Sequence, residues 1–580
     1  MGSMMTGLYV GLSGLVTSSN SLNTTANNLS NVNTDGYVRQ QVVDKDMMYN
    51  DVTTHSNTNQ GQSGLGVTVQ EIAHVRDMFL DLAYRKETGR ESFYSKLYDA
   101  VYEIETQVGN TDGIDGIAFQ SSITNLLTSL NTLSEAPGDL VYRSAVVQSA
   151  VEFLDSAKLI YNGLQDYQET LNDEIIGTID RINEIGDSIK LLNTRIEAIE
   201  VGGIENANDL RDQRDALIDE LASYCKISYK EDANGVVEVS VEGTPFVDEL
   251  SVNYLGYEII EGTTDFVNPV WSQMNNQPLY NLNATISTET NTDIGGLKGL
   301  VVARGNISPT AHNMTEPDAA DYALGTADPD YINDLDAYNR YESSYGVSTI
   351  VNTMANLDKL VGSIVEAIND VFCPETTYTA ADGTVYTVLD TENAPTAKDG
   401  TPGVELFSRD YTDRYTEQVI DGQTMWVRNN TNSFGNPSYY SISNVTVNDT
   451  IVNDYSKMAL TTLDGADDYN TVSKLVALFS DAEGGVSLYY NGGIDGLTFE
   501  KFYETLTSDI ATTGSIYKSM STNEDTLKES IDSARQEVMG VSSDDELSNM
   551  IRYQQAYNAA SRYINVVSDM IETLIMNTGA

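Results

Sequence analysis

The side chains able to do chemistry are few and scattered. Three histidines, His55, His74 and His312, stand far apart, and none has a His-x-x-x-His or Cys-x-x-Cys neighbour. A zinc site needs three or four such ligands converging, so surface or capping roles are expected for all three, and no metal. Cys225 and Cys373 are the two thiols. Each falls where a predicted helix gives way to β-rich sequence, and two buried free thiols are expected rather than a bridge pinning that junction. The run Gly295-Gly296-Leu297-Lys298-Gly299 lacks the Lys-Ser/Thr ending of a phosphate loop, and no strand precedes Gly7, Gly11 and Gly14 as a dinucleotide turn requires. Neither a Gly-x-Ser-x-Gly elbow nor the Asp-x-Asp-x-Asp-Gly register of a calcium loop occurs. Carboxylates are abundant enough to hold a glycosidase-like pair, yet spacing singles out none. The 35 tyrosines read as strand and interface residues rather than a sugar-binding face. The expectation is no cofactor and no enzymatic activity.

What the sequence does specify is helices that need partners. Leu8, Leu12, Leu15, Leu22, Ala26 and Leu29 follow a four-three spacing near the N-terminus, with Ser19 the polar member. Met550, Tyr553, Tyr557, Ala560, Ile564, Val567, Ile571 and Leu574 keep that spacing at the other end. Such a repeat is the seam of a helix packed along another helix. The two seams are expected to cover each other, or copies in neighbouring molecules, which points to a subunit of an assembly.

Composition narrows the partners. With 32 basic and 86 acidic residues the formal charge is −54, which repels nucleic acid and anionic lipid because both require Lys and Arg to neutralise phosphate. No run approaches the roughly 20 apolar residues of a membrane span, and the N-terminus has neither the charged region nor the continuous apolar core of a cleaved signal. A solvated acidic surface is the reading of the charge. The 580 residues leave room for about three to five domains.

Along the chain, turn chemistry at Asn31–Gly36 ends the first helix. Residues 37–75 read as extended or irregular, and helices are expected from Arg76 to Glu105 and from Ile117 to Leu133. Pro137 and Gly138 then break the pattern. Leu164, Leu171, Ile175, Ile182, Ile185, Ile189, Leu192, Ile196 and Ile199, with Gln168 and Thr178 in the polar slots, predict a rod-like helix ending at Gly202-Gly203. Another helix covers 206–224. From Cys225 the residues turn β-like to about 310, beginning with a hairpin around Asp232–Gly235. An acidic, Tyr-rich connection fills 315–345. Helical periodicity returns at 351–372, and a second β-like stretch occupies about 374–450, with Asp382-Gly383 as a hairpin turn. Helix is expected from Thr471 to the end.

Three stretches resemble one family. Leu22–Gln40, carrying Asn27, Asn28, Asn31, Asn33, Gly36, Tyr37 and Arg39, resembles the N-terminal motif of the axial proteins of the bacterial flagellum. Asn-Asp-Leu-Arg-Asp-Gln-Arg-Asp at 208–215, and Asp-Glu-Leu-Ser-Asn-Met-Ile-Arg-Tyr-Gln-Gln-Ala-Tyr at 545–557 with Gln554 and Gln555, resemble the hook-associated branch of that family. Weaker likeness runs through 133–143, 442–459 and 499–508, so the helical scaffold is covered and the two β stretches are not.

The resemblance implies an α+β multidomain chain with paired, coiled-coil-like terminal helices, a long helical bundle rod and inserted antiparallel β domains. It divides as 1–50 with 540–580, the inner-tube pair; 51–225, 345–372 and 465–539, the rod; 226–344, an inserted β domain; and 373–464, a second β-rich insertion. It also implies a structural subunit joining hook to filament, polymerising through Leu8, Leu12, Leu15, Leu22, Leu29, Met550, Tyr553, Tyr557, Ile564, Val567, Ile571 and Leu574. Its implied partners are further copies of itself, the hook protein, the second hook-associated junction protein and a cytoplasmic export chaperone. Nucleic acid and membrane insertion are not among them. Type III export without a cleaved signal would place it outside the cell. The alternatives are another axial protein of hook or distal rod, or an extracellular enzyme or adhesin carried on a flagellar scaffold.

Overall fold

A single helix of 61 residues, α4 (Leu140–Glu200), extends about 90 Å at the usual helical rise. In this computed structural model the described residues are 2–34, 36–47, 50–51, 62–109, 119–202, 205–260, 265–282, 286–307, 348–429, 431, 438–480, 485–488, 490 and 496–578. His55, His312 and the Tyr-rich 315–345 connection lie outside them.

The chain begins with α1 (Gly2–Ser30) and a hairpin arm, β1 (Gln40–Asp46) against β4 (Val67–His74), extended by the two-residue β2 (Asn50–Asp51) and β3 (Gln62–Ser63). The extended reading of 37–75 thus resolves into antiparallel pairing, with Gln40 opposite His74 and a bulge at Val43/Asp44. Asp77 then caps α2 (Met78–Val108), accepting from the Phe79 amide at 2.8 Å. After α3 (Phe119–Leu133), Asp139 caps α4 by accepting from the Val141 amide. The rod seam is buried as its spacing predicts from Leu164 to Ile196. Two slots differ: Ile179 rather than Thr178 points inward, and Ile199 is exposed. Thr178 instead bonds its own helix, at the Glu174 carbonyl.

Two apolar cores lie along this rod. One gathers α3, the first half of α4, α7 (Thr349–Phe372), α9 (Tyr469–Ala477) and the start of α10 (Phe499–Met539). The other gathers the second half of α4, α5 (Asn208–Tyr224) and the sheets β5–β7 (Ile227–Glu231, Val237–Val241, Thr244–Val247) and β8–β10 (Leu255–Ile259, Val267–Trp271, Gln277–Pro278). Helix α2 enters both. Cys373 is in the first core and Cys225 in the second, both free and buried.

The β-like reading of 226–310 misses one element. Residues Gly296–Arg304 form α6, every one of them buried. A Cβ on Gly299 would sit 2.8 Å from the Phe93 carbonyl oxygen, so this glycine lets α6 cross α2 at backbone contact. The second insertion holds β11–β12–β15–β14 (Glu375–Thr379, Val385–Leu389, Gln423–Arg428, Tyr415–Ile420), the pair β13–β16 (Phe407–Arg409, Val445–Val447) and the single turn α8 (Asp449–Asn453). The expectation of unbroken helix from Thr471 is also corrected. Helix α9 stops at Ala477, and Leu488 and Leu497 form an antiparallel bridge before α10. The glycine pairs Gly484-Gly485 and Gly492-Gly493 explain the failure, each glycine costing about 1 kcal/mol in a helix. The last helix is α11 (Ser543–Thr578).

Helix-borne amides hold strand edges to the rod. Asn172, Asn183 and Asn193 on α4 each accept from one strand amide (Val267, Leu255 and Val237), and Asn183 and Asn193 donate back to the carbonyl of the same residue. Asn369 on α7 does the same for the second insertion: its Oδ1 accepts from the Leu406 and Phe407 amides at 3.0 Å and its Nδ2 donates to the Phe407 carbonyl at 2.8 Å. The groups that bond Asn369 are buried, so Asn369→Ala leaves them unpaired, at about 3 kcal/mol. Urea unfolding should show a loss of that size; a loss under about 1 kcal/mol would mean the bracket contributes little.

Candidate assembly surface at the chain termini

Helices α1 and α11 pack antiparallel, and glycine makes the contact. A Cβ on Gly7 would lie 3.1 Å from the Tyr563 hydroxyl, one on Gly11 2.7 Å from Ile564 Cγ1, and one on Gly14 3.8 Å from the Ala560 Cβ. Gly7, Gly11 and Gly14 recur at four-three spacing, so they form a groove along α1 that admits Ile564 and Val567. The three glycines that match no nucleotide motif therefore serve helix approach. Further along α1 the buried positions are Thr17, Ser18, Ser21, Thr24, Thr25 and Asn28, small and polar.

The seam residues divide accordingly. On α11, Val567 is buried, Met550, Tyr553, Ile564, Ile571 and Leu574 are half-buried, and Tyr557 lies at the margin. On α1, Leu8, Leu15, Leu22 and Leu29 are half-buried beside the glycine line, while Leu12 is 49% exposed. The leucine spacing identified the helix but not its contact line, since an apolar count ignores glycine.

The asparagine motif closes the turn after α1. Buried Asn28 donates to the Gln40 carbonyl at 2.9 Å, and its Oδ1 accepts from the Gln40 amide at 3.0 Å and the Tyr37 hydroxyl at 2.8 Å. Asn27 donates to Tyr37 Oη, and Asn31 bonds back to the Asn27 carbonyl. Gly36 takes φ +75°, where a side chain would be strained. Asn33 is exposed, as are Gln554 and Gln555. Burial and the carboxylates of Asp212, Asp209 and Glu546 push the Tyr37 phenol well above its usual range, so it stays a donor.

This turn is tied to the body by charge. Arg39 donates to Glu546 of α11 at 2.8 Å, and its amide donates to the Met539 carbonyl. The Val38 amide reaches Asp212 Oδ2 at 3.3 Å, and His74 Nε2 lies 3.4 Å from the other oxygen. Next to them Arg535 joins Asp81 at 2.6 Å and Asp219 at 2.8 Å, Arg85 joins Asp219 at 2.5 Å, and Arg76 pairs with Asp215. The motif at 208–215 supplies much of this joint. In it, Arg211 turns instead to Glu200 and Glu231, and Arg214 to Asn193 and the Gly235 carbonyl. Sequence reading singled out the motif without these partners, which come from four separate segments.

A cleft of about 420 Å³ at the base of the second insertion brings Glu366, Asp370 and Glu375 together. Two guanidiniums occupy their oxygens. Arg414 bonds Asp370 and Glu375, and Arg428 bonds Glu375 and Glu366. Burial raises the Asp370 pKa, whereas on Glu375 the bonds from Arg428 and Tyr415 outweigh burial and lower it. The cluster braces α7 against the four-stranded sheet. Among the described residues no group of three His, Cys, Asp or Glu is placed to hold a metal.

Comparison with known proteins follows these elements. A family model described as the flagellar hook-associated protein FlgK helical domain matches residues 106–379. Models for the flagella basal body rod protein and for the flagellar basal body rod FlgEFG protein C-terminal match 8–37 and 533–577, which contain most of α1 with its asparagine turn, and most of α11. Flagellar hook-associated protein 1 of Bacillus subtilis is 24% identical over 96% of this chain and 95% of its own. Along nearly its whole length the chain is similar to flagellar hook-associated proteins. The protein of the same name from Salmonella typhimurium is 25% identical over 97% of this chain and 98% of its own. The solved structure of the flagellar hook junction protein FlgK from Burkholderia pseudomallei shares the fold at a TM-score of 0.52 and 12% identity, covering 78% of this chain and 99% of that one. The helical-domain match runs through the β5–β10 layer into β11, so the family likeness includes the first insertion, where no motif was legible.

Two outcomes test this surface. Gly11→Val drives a branched side chain into Ile564, so hydrogen exchange in α1 and α11 should speed up while α4 is unchanged; unchanged exchange in α11 would refute the glycine contact. The joint should respond to pH. Burial raises Asp212 to about 7, above the usual carboxylate value near 4, and burial with Arg76 lowers His74 to about 4. A carboxyl whose pKa is higher in the folded state adds stability in acid that is lost as pH rises through 7. Asp212→Asn removes that loss, and its amide can still accept from Val38. Its melting temperature relative to the natural chain should therefore be higher at pH 8 than at pH 5; the reverse order would show that the carboxylate is stabilised at this joint.

Proposed function

We propose that this chain is a structural subunit of the bacterial flagellum that joins hook to filament and polymerises through its terminal helices. The observation that carries the reading is the α1–α11 pair. The two ends of the chain meet at Gly7, Gly11 and Gly14, yet much apolar surface on both helices stays uncovered. The near full-length relatives bear the name of hook-associated protein 1, not of a hook or rod subunit, which favours the junction over the other axial positions.

In this reading 1–50 with 540–580 is the inner-tube part and the rest projects outward. The seam leucines of α1, with Tyr557, Ile571 and Leu574, gain in the assembly the burial they lack in the single chain, at about 25 cal/mol per Å². The neighbours are copies of this chain, the hook protein on one side and a second hook-associated protein on the other. The chain works outside the cell after type III export, escorted beforehand by a cytoplasmic chaperone on its C-terminal helix. A charge of −54 supports a role away from nucleic acid and lipid headgroups. No described helix is long and apolar enough to cross a membrane. The role is structural rather than catalytic, a reading supported by the two arginines that bind the carboxylates of the acidic cleft.

Electron microscopy of cells lacking the gene tests it. Bare hooks with flagellin lost to the medium are expected. Loss of the hook would move the chain to the hook or rod, and normal filaments would end the axial reading.

A further inference from the structure

Three arginines and three aspartates close a ring where the rod meets the hairpin arm. Arg76, on the linker after β4, pairs with Asp215 and lies 3.2 Å from Asp81. Arg535 of α10 joins Asp81 at 2.6 Å and Asp219 at 2.8 Å. Arg85 of α2 joins Asp219 at 2.5 Å and Asp215 at 3.4 Å, which completes the circuit. Signs alternate around it, so each member touches two of the opposite charge.

Two of these aspartates belong to a row on α5. Asp212, Asp215 and Asp219 stand three and four apart and share a face. Among the described residues no arginine pairs with Asp212. Its Oδ1 makes no hydrogen bond, and neither does the Arg76 Nε. A proton balances it instead: burial and the neighbouring Asp209 raise its pKa to about 7 against the pull of Arg76. His74 faces it from β4 at 3.4 Å and stays neutral, because burial and the charges of Arg76 and Arg211 lower its pKa to about 4. Tyr37 faces it from the turn and stays a phenol. Glu200 and Arg211, which face His74, are paired with each other, and Glu546, which faces Tyr37, is paired with Arg39. Arg76 alone in this set can be spared: without it Asp81 keeps Arg535 and Asp215 keeps Arg85. The two carboxyls differ by three residues of α5, about 4.5 Å of rise, within the sweep of an arginine side chain.

We propose that Arg76 is a two-seat latch: with a proton on Asp212 it closes the ring on Asp215, and when that proton leaves it swings to Asp212. The first seat ties the linker to α2, α5 and α10. The second ties it to the carboxyl that accepts from the Val38 amide at 3.3 Å and faces His74, the two feet of the arm. The second seat binds one proton fewer, so rising pH favours it. The swing limits the cost of ionising Asp212 and does not abolish it, since Asp81 and Asp215 each give up a partner. The device belongs to the single chain and needs no neighbour.

Hydrogen exchange in α5 of the full chain tests it, with Arg76→Gln, Asp215→Asn and the double variant compared at pH 5.5 and pH 8. Where two side chains interact, the double variant loses less protection than the product of the single losses. The expected shortfall is about tenfold at pH 5.5 and under about twofold at pH 8. Adding Asp212→Asn to all four chains removes the second seat, so the tenfold shortfall should return at pH 8. An equal shortfall at both pH values in the natural background would overturn the proposal, as would none at either. So would a pH dependence that survives Asp212→Asn. Should Arg76→Gln not fold, Arg76→Lys replaces it, because a lone ammonium lacks the fork that holds two carboxylates together.

Discussion

The contact of Gly7, Gly11 and Gly14 with Ala560, Ile564 and Val567 is the constraint on which the rest of the molecule depends. It brings together segments separated by nearly the whole chain, so everything between them is a closed excursion. Close approach is what glycine supplies here, at a cost of about 1 kcal/mol per residue in helix propensity. That cost is offset where side chains of the partner enter the space a Cβ would fill. The same choice leaves α1 with little apolar material facing α11, so the pair is marginal alone and gains most from further neighbours.

Rigidity is concentrated elsewhere. The two cores strung along α4 and the side-chain amides of Asn172, Asn183, Asn193 and Asn369 fix the β layers to the rod. Between rod and terminal pair stands a polar joint of Arg39, Arg76, Asp81, Asp212, Asp219, Arg535 and Glu546. Buried ion pairs contribute little net stability against apolar packing, but removing one partner is costly, so they define one arrangement sharply. A well-packed body, a specified joint and a sparsely apolar terminal pair suit a subunit that polymerises through its ends.

The periodic elements were legible from sequence. The rod seam and the terminal helices follow from spacing alone, and the hairpins at Gly235 and Gly383 from turn residues that do adopt positive φ. What stayed hidden depends on chain segments far apart. Gly296–Arg304 reads as turn-rich because glycine depresses helix propensity, yet tertiary burial makes it helical. The contact line of α1 was assigned to leucines because a hydrophobic count gives glycine no weight. The polar partners of Asp212, Arg214 and Asn28 could not be read at all, since identical charges and amides elsewhere in the chain offered equally plausible pairings. The asparagine motif showed through resemblance to a family, and the structure supplies its physical reason at Tyr37 and Gln40.

Amide hydrogen exchange, compared between the free chain and the chain within flagella, measures the central claim directly. Coupling of assembly to terminal ordering predicts fast exchange in α1 and α11 of the free chain, slow exchange in α4 throughout, and slow exchange in all three once assembled. Terminal helices already as protected as α4 in the free chain, or still unprotected in the flagellum, would contradict it.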